Sequence, residues 1–275
     1  MSRAGLTLNT LPTQVLEALG QARALSLLPQ AMTSSVALVE TDRGLRVVKR
    51  ARGALFAGWL EQEHRALTAL AGTGLPIPPP HALVRIEHGI VPECWLLIDH
   101  LPGRPLSEVL RNDLSLSLRA ALLRAFGQTL AAIHATPAPP DVPRPAPSWI
   151  DFMLDEAAEN LEHFSVDGTP ELLARLQTSR PASVAPTLIH GDYTIDNVLV
   201  EGKRVTGIID WPACAVGDPR YDVALATRRQ DEAFDGRPRR DDLQAFFEGY
   251  GRADVFCAPD AQEVLDYFVG LYEFF

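Results

Sequence analysis

The sequence has no hydrophobic run that is long enough to cross a membrane, and no basic segment followed by an apolar one near its first residues. A spanning helix needs about 20 mostly apolar residues, and none of the 275 residues lies in such a stretch. Residues 1–20 do not have the pattern of a secretory signal peptide. We therefore expect a cytoplasmic protein with no membrane partner.

Cysteine is also scarce. Cys94, Cys214 and Cys257 are far apart and none belongs to a C-x-x-C pair. This spacing excludes a disulfide framework and gives no zinc-binding pattern. We interpret all three as reduced structural residues.

Basic charge is the third shortage. The formal net charge is −10 and the isoelectric point is near 5.2. A general nucleic-acid binder needs a basic surface, so we expect no nucleic-acid partner. Acidic charge would suit a cationic substrate, and carboxylates recur at helical spacing within residues 151–159. It is equally typical of a solvated helix face and of soluble proteins in general.

Residues 35–50 alternate in a way that predicts a β-hairpin. Period-2 alternation places Lys49 on the same face as Leu45 and Val47. In the helical stretch that follows, Glu63 falls within the apolar stripe. A carboxylate on an inward face needs a partner, so we expect Glu63 to pair with Lys49.

A break in the apolar pattern near residue 101 predicts two lobes. The apolar strand Cys94–Ile98 ends at Asp99, just before a Pro-Gly break. We therefore expect an N-terminal nucleotide-binding lobe, residues 1–101, with an antiparallel sheet and one helix. Residues 102–275 should form a mainly helical lobe, so the expected fold class is α+β.

The chemistry-bearing motif lies in residues 187–211. The strand Thr187–Ile189 leads into His-Gly-Asp, and the spacing is Asp192, four residues, Asn197, then a hairpin that ends at Asp210. Phosphoryl transfer needs one carboxylate to orient the attacking hydroxyl and oxygen ligands for Mg²⁺. The order Asp, Asn, Asp matches the protein-kinase template for that reaction.

These residues resemble the aminoglycoside phosphotransferase-like family, which is related to choline kinase and to protein kinases. Further landmarks occur in the family's order, and the resemblance covers about nine-tenths of the chain. They are Val47-Val48-Lys49, Glu63-His64-Arg65-Ala66-Leu67, Leu96-Leu97-Ile98, Ile133-His134 and Gly217-Asp218-Pro219 with Tyr221-Asp222. The resemblance implies a two-lobed protein-kinase-like fold and a small-molecule phosphotransferase.

The resemblance also implies a role for each matched residue. Asp192 would be the catalytic base, and Asn197 and Asp210 would bind Mg²⁺. Lys49 would contact the α- and β-phosphates of ATP or GTP, with Glu63 as its ion-pair partner. The backbone of Asp99 and Leu101 would bind the adenine. The acceptor would be a hydroxyl of a small molecule. The residues leave open the identity of that molecule and the oligomeric state of the protein.

The phosphate loop departs from the family pattern. Residues 31–35 contain no glycine, so Ser34 and Ser35 are left to offer hydroxyl and backbone donors to the phosphates. This departure keeps open a non-catalytic nucleotide-binding pseudokinase as the alternative function. A metal-dependent hydrolase that uses His190 and Asp192 as ligands would leave Lys49 unexplained.

Three further features have plain structural interpretations. His190 is expected to shape the loop. Asp218 is expected to begin a turn, and Asp222, at the expected start of a helix, to satisfy free backbone N–H groups. Residues 228–242 mix both signs of charge, and we expect a solvated, mobile loop there.

Overall fold

The computed structural model describes residues 6–28, 34–88, 91–112, 114–228, 239–251 and 261–275. The strands are β1 (Ala22–Leu27), β2 (Ser35–Thr41), β3 (Gly44–Arg52), β4 (Pro80–His88), β5 (Val91–Asp99), β6 (Arg104–Pro105), β7 (Thr187–Ile189), β8 (Val198–Glu201), β9 (Arg204–Ile208) and β10 (Ala215–Gly217). The α-helices are α1 (Thr13–Leu19), α2 (Ala54–Leu70), α3 (Leu106–Leu110), α4 (Leu116–Ala135), α5 (Trp149–His163), α6 (Pro170–Thr178), α7 (Pro219–Thr227), α8 (Arg239–Tyr250) and α9 (Ala261–Tyr272).

The chain divides into two compact units. The first holds residues 1–101 together with 210–212, and the second holds residues 102–209 and 213–275. No helix within the described ranges is both long and apolar enough to cross a membrane.

The first unit is built on a five-stranded antiparallel sheet with the order β1-β2-β3-β5-β4. The interior strand β5 carries a continuous buried run, Cys94–Ile98, as expected of a strand that is covered on both faces. Helix α2 buries Leu60, Leu67 and Leu70. Each such side chain contributes roughly 1.5–3 kcal/mol relative to an exposed one, so the stripe fixes which way α2 faces.

The second unit is mainly helical, and its helices α4 and α8 approach each other closely. A Cβ on Gly127 of α4 would meet the carbonyl oxygen of Phe246 at 2.1 Å, and one on Gly249 of α8 would meet that of Arg124 at 2.0 Å. Both contacts are far too short for a real side chain, so α4 and α8 pack at this distance only because glycine faces backbone at each point.

One charged pair joins the same two helices and corrects an expectation. Arg119 donates from Nε and Nη2 to the two carboxylate oxygens of Asp242, each at 2.8 Å, and both side chains are buried. The expected solvated loop over residues 228–242 is therefore wrong at its end, since α8 begins at Arg239. Residues 229–238 lie outside the described residues.

Small strands flank the segment that carries the motif. β7 pairs antiparallel with β10, and β8 pairs with β9 and with the short β6. An N-terminal antiparallel sheet followed by a mainly helical part confirms the predicted α+β fold class.

Candidate active site

Lys49, Glu63 and Asp210 meet within the first unit. The Lys49 ammonium donates to the two Glu63 carboxylate oxygens at 2.7 and 2.8 Å and to Asp210 Oδ1 at 3.0 Å. Lys49 and Glu63 are buried, whereas the side chain of Asp210 is 43% exposed. Lys49 on β3 and Glu63 on α2 thus lie on facing surfaces, as the periodicity of the two elements predicts.

Burial and charge oppose each other in this cluster. Burial disfavours the charge on Lys49, but the carboxylates of Asp210 and Glu63 outweigh it and raise the pKa of the ammonium. Burial raises the pKa of the Glu63 carboxyl, and the nearby ammonium acts against that rise. Lys49 therefore keeps its positive charge at neutral pH, as a group that contacts phosphate oxygens must.

Asp210 has an unusual backbone. Its φ of 68° is the positive value of a left-handed conformation, and among the described residues it is the one non-glycine residue of that kind. Such a backbone is sparsely populated and clusters at functional sites. The next residue, Trp211, is fully buried, so the chain is firmly held directly after Asp210.

The His-Gly-Asp motif of the second unit fixes the carboxylate of Asp192. Asn197 Nδ2 donates to Asp192 Oδ2 at 2.8 Å and to the Asp192 carbonyl oxygen at 2.9 Å. Asn197 can therefore offer its amide oxygen to a cation. Its carbonyl oxygen accepts from the backbone N–H of Ile209 at 2.9 Å, the residue directly before Asp210.

His190 has the structural environment that we expected. Its Nδ1 accepts from the backbone N–H of Asp192 at 3.1 Å, so its Nε2 carries the proton and donates to the carbonyl oxygen of Ile209 at 3.0 Å. The buried ring thus ties the start of the loop to the end of the β8–β9 hairpin.

Asp222 anchors the same loop. Its carboxylate accepts from the backbone N–H of His190 at 2.7 Å and from that of Gly191 at 2.8 Å, and His134 Nε2 lies 3.2 Å away. Asp222 is fully buried. We expected a carboxylate that satisfies N–H groups at its own helix start, but Asp222 satisfies those of a loop more than 30 residues earlier. Asp218 is the N-cap of α7 and accepts from the backbone N–H of Arg220.

The remaining predicted residues have simpler surroundings. Asp99 ends β5, where its N–H donates to the carbonyl oxygen of Pro79 at 3.0 Å and its carboxylate pairs with Arg46 at 2.6 Å. Leu101 follows β5 and is part-buried. Ser35 begins β2 opposite Arg50, and Ser34 precedes it. Residues 31–33 of the predicted phosphate loop lie outside the described residues.

Sequence reasoning missed Tyr272. Its hydroxyl donates to Asp192 Oδ1 at 3.3 Å. Tyr272 lies 80 residues after Asp192 on an apolar helix, so its spacing gives no signal of this contact.

The side chains of Asn197 and Asp210 each carry oxygen atoms of the kind that a hard cation takes. Mg²⁺ is usually held by one or two protein oxygen ligands together with substrate phosphates and water, which Asn197 and Asp210 fit. No cluster of three or more histidine, cysteine, aspartate or glutamate side chains that could hold a metal occurs in the described ranges. Each of these two side chains offers an oxygen atom that suits a metal arriving with a phosphate ligand.

The antiparallel sheet with its Lys-Glu pair and the loop with its Asp-Asn pair define a phosphotransferase of kinase-like fold. The sequence pattern of the phosphotransferase enzyme family APH matches residues 25–256. The protein belongs to this family and is thus a transferase of the kinase type.

Individual relatives are similar over most of this chain. An aminoglycoside 3'-phosphotransferase from Niallia circulans is 26% identical over 227 residues, which cover 79% of this chain and 80% of that protein. Acyl-CoA dehydrogenase family member 10 from Mus musculus is 28% identical over 200 residues, which are 67% of this chain but only 18% of that protein. The chain thus spans less than a fifth of the length of the mouse relative.

Solved structures share the fold. The crystal structure of aminoglycoside-3'-phosphotransferase of type VIII superposes with a TM-score of 0.69 and 26% identity, covering 91% of this chain and 94% of that one. A thermostable mutant of aminoglycoside phosphotransferase APH(4)-Ia, in a ternary complex with ADP and hygromycin B, superposes with a TM-score of 0.59 and 18% identity, covering 95% and 97%.

Proposed function

We propose that the protein transfers the γ-phosphate of ATP or GTP to a hydroxyl group of a small molecule. The observation that carries the proposal is the Asp192 carboxylate, which Asn197 holds at 2.8 Å within the His-Gly-Asp motif of the family. The ADP and hygromycin B bound by the APH(4)-Ia mutant support a nucleotide donor and a small-molecule acceptor.

Each residue has a role in this proposal. Asp192 orients the acceptor hydroxyl and receives its proton. Lys49, held by Glu63, contacts the α- and β-phosphates. Asn197 and Asp210 hold Mg²⁺, which when bound neutralises charge on the transferred phosphoryl group.

The nucleotide would be bound by backbone groups of the first unit. The carbonyl of Asp99 and the N–H of Leu101 would hydrogen-bond the adenine, because the N–H of Asp99 is already donated to Pro79. Ser34 and Ser35 would contact the phosphates. Residues 1–101 would thus be the nucleotide-binding lobe and residues 102–275 the catalytic and acceptor lobe.

The proposal is tested by Asp192→Asn against Asp196→Asn. Asp196 is an exposed carboxylate of the same loop, so its replacement matches the charge change without touching the site. With [γ-³²P]ATP, Mg²⁺ and a mixture of small alcohols, we expect Asp192→Asn to lower γ-phosphate release and transfer about 100-fold or more. We expect Asp196→Asn to retain both rates.

Near-wild-type rates in Asp192→Asn would sink the assignment of Asp192. Nucleotide binding without release or transfer in the wild-type protein would instead support the pseudokinase alternative.

A further inference from the structure

The two carboxylate oxygens of Asp192 have different neighbours. Asn197, a proposed metal ligand, donates to Oδ2, and the Tyr272 hydroxyl donates to Oδ1. A base that receives the proton of an acceptor must have that hydroxyl within hydrogen-bond reach. Since Oδ1 already accommodates the hydroxyl of a side chain, Oδ1 is the acceptor side of Asp192.

Arg228 brings positive charge to that side. It caps the C-terminus of α7, and its Cζ lies 4.3 Å from the centre of the Tyr272 ring. Among the described residues, its Nε is buried and has no hydrogen-bond partner. Buried donors are normally paired, so this guanidinium has capacity for an anion.

The charges of Arg228 and of Asp192, the proposed base, both act on the hydroxyl of Tyr272. Burial raises the pKa of the Tyr272 phenol to about 12, Asp192 acts in the same direction, and Arg228 acts against them. The phenol is therefore protonated at neutral pH and remains a donor to Asp192.

The acidic residues of α5 do not cancel the positive charge that Arg228 brings to the acceptor side. Asp151 accepts from the Ser148 hydroxyl and pairs with Arg180, so its charge is already compensated. Asp155 and Glu159 are exposed on the helix, where solvent screens them. Asp151 is therefore not a free charge for a cationic substrate.

We propose that Tyr272 and Arg228 form the acceptor side of the phosphotransfer site, and that the acceptor is a hydroxylated compound bearing a carboxylate or a phosphate. The inference rests on the proposed function. The acceptor hydroxyl replaces that of Tyr272 on Asp192 Oδ1, and the anionic group pairs with Arg228, whose fork of donors matches such oxygens.

The transfer step balances without a further reactant. The acceptor oxygen forms a bond to the γ-phosphorus, the bond from that phosphorus to the bridging oxygen breaks, and the nucleoside diphosphate leaves. The proton of the acceptor passes to Asp192. A polycationic acceptor would instead bring like charge against Arg228.

The experiment offers matched acceptors that differ only in charge. Gluconate, sorbitol and glucamine form one set, and glycerate, glycerol and 3-amino-1,2-propanediol form another, with glycerol 3-phosphate and kanamycin added. With [γ-³²P]ATP and Mg²⁺, we expect label in one or more anionic members at rates at least about 10-fold above their matched amines. Label mainly in neutral or cationic members, or none in the anionic ones, overturns the assignment.

Variants test the role of Arg228. Arg228→Gln should raise the KM of the labelled anion about 10-fold relative to the KM of ATP, and Arg228→Lys should recover part of the loss. Arg175→Gln, an exposed arginine on α6, is the control. An equal effect of Arg228→Gln on both KM values would contradict a direct contact.

Failure of the proposed function is seen separately. If ADP formation without any acceptor does not depend on Asp192, the phosphotransferase assignment fails and this inference fails with it. If that dependence holds but charge selection is absent, only the roles of Tyr272 and Arg228 are lost.

Discussion

At the scale of single residues, Gly191 is a position of the His-Gly-Asp motif that leaves little room for change. Its φ is +86°, and a Cβ there would meet the carbonyl oxygen of Ala213 at 2.4 Å. Gly202, in the β8–β9 turn, also has positive φ, at +60°, but a Cβ there meets nothing within 4 Å. Comparing alanine substitutions at the two glycines therefore separates the cost of positive φ from the cost of a steric clash.

We expect Gly191→Ala to lower the free energy of unfolding by about 3 kcal/mol or more, because the strain of positive φ adds to a clash with backbone. Gly202→Ala should cost only about 1–2 kcal/mol, the strain alone. Urea denaturation of the two variants and the wild type measures both values. Equal losses would show that the backbone near Ala213 yields without cost.

The Lys49–Glu63 contact could be predicted at this scale, and the Tyr272–Asp192 contact could not. Lys49 and Glu63 each sit on an apolar face of a periodic element, so burial alone demands that they pair. Tyr272 is one of several aromatic residues on an apolar helix. Nothing in its sequence neighbourhood distinguishes a core tyrosine from one whose hydroxyl reaches a carboxylate.

At the scale of elements, α7 positions the loop that carries Asp192. Its Asp222 receives two backbone N–H groups from the loop, and the loop also reaches α4, where the hydroxyl of Tyr193 donates to the carbonyl oxygen of Phe126 at 2.8 Å. The Tyr193 and Phe126 rings stack with centroids 4.6 Å apart. Two helices thus hold a segment that has no regular structure of its own.

We expect Asp222→Asn to lower the free energy of unfolding by about 2–3 kcal/mol, because the amide can accept with only one of its two polar atoms and loses the charge. Phosphate release should fall as well, since the backbone N–H groups of His190 and Gly191 lose their anchor. Asp218→Asn is the matched control on the same helix, and asparagine is an equally good N-cap.

Thermal unfolding and single-turnover release measure the two effects. The anchoring role of Asp222 is refuted if Asp218→Asn loses as much stability as Asp222→Asn while both keep the wild-type rate.

Elements with strong periodicity could be predicted from the sequence, and elements defined by distant partners could not. The leucines of α2 and the buried run of β5 specify their elements locally. β4 begins at Pro80, the last of three consecutive prolines, and its charged Arg85 and Glu87 suit an edge strand. The burial of Asp242 depends on Arg119, 123 residues earlier, which no local pattern reveals.

At the scale of the whole molecule, the chain combines two units with different parts of the proposed chemistry. The first unit contains Lys49, Glu63 and the continuation of the chain at Asp210, and the second contains Asp192 and Asn197. The net charge of −10 gives a polyphosphate no general attraction, so nucleotide binding must depend on local groups and on a divalent cation.

We therefore expect ATP or GTP to stabilise the protein only when Mg²⁺ is present. A ligand at 100 times its dissociation constant adds about 2.7 kcal/mol to the free energy of unfolding, which raises the melting temperature by roughly 5–10 °C for a domain of 150–250 residues. Asp210→Asn keeps a residue that tolerates positive φ but removes the carboxylate, so it should abolish most of the rise. Asp155→Asn, which changes an exposed carboxylate of α5, should retain it.

Either result determines how the glycine-free phosphate loop is understood. A Mg²⁺-dependent rise that requires Asp210 would show that Ser34, Ser35 and Lys49 suffice to hold a triphosphate without a glycine at residues 31–35. An unchanged melting temperature at millimolar nucleotide would mean that the missing glycine prevents the close backbone approach that phosphate binding needs. The kinase-like fold would then act without nucleotide turnover, although its Asp192–Asn197 pair is intact.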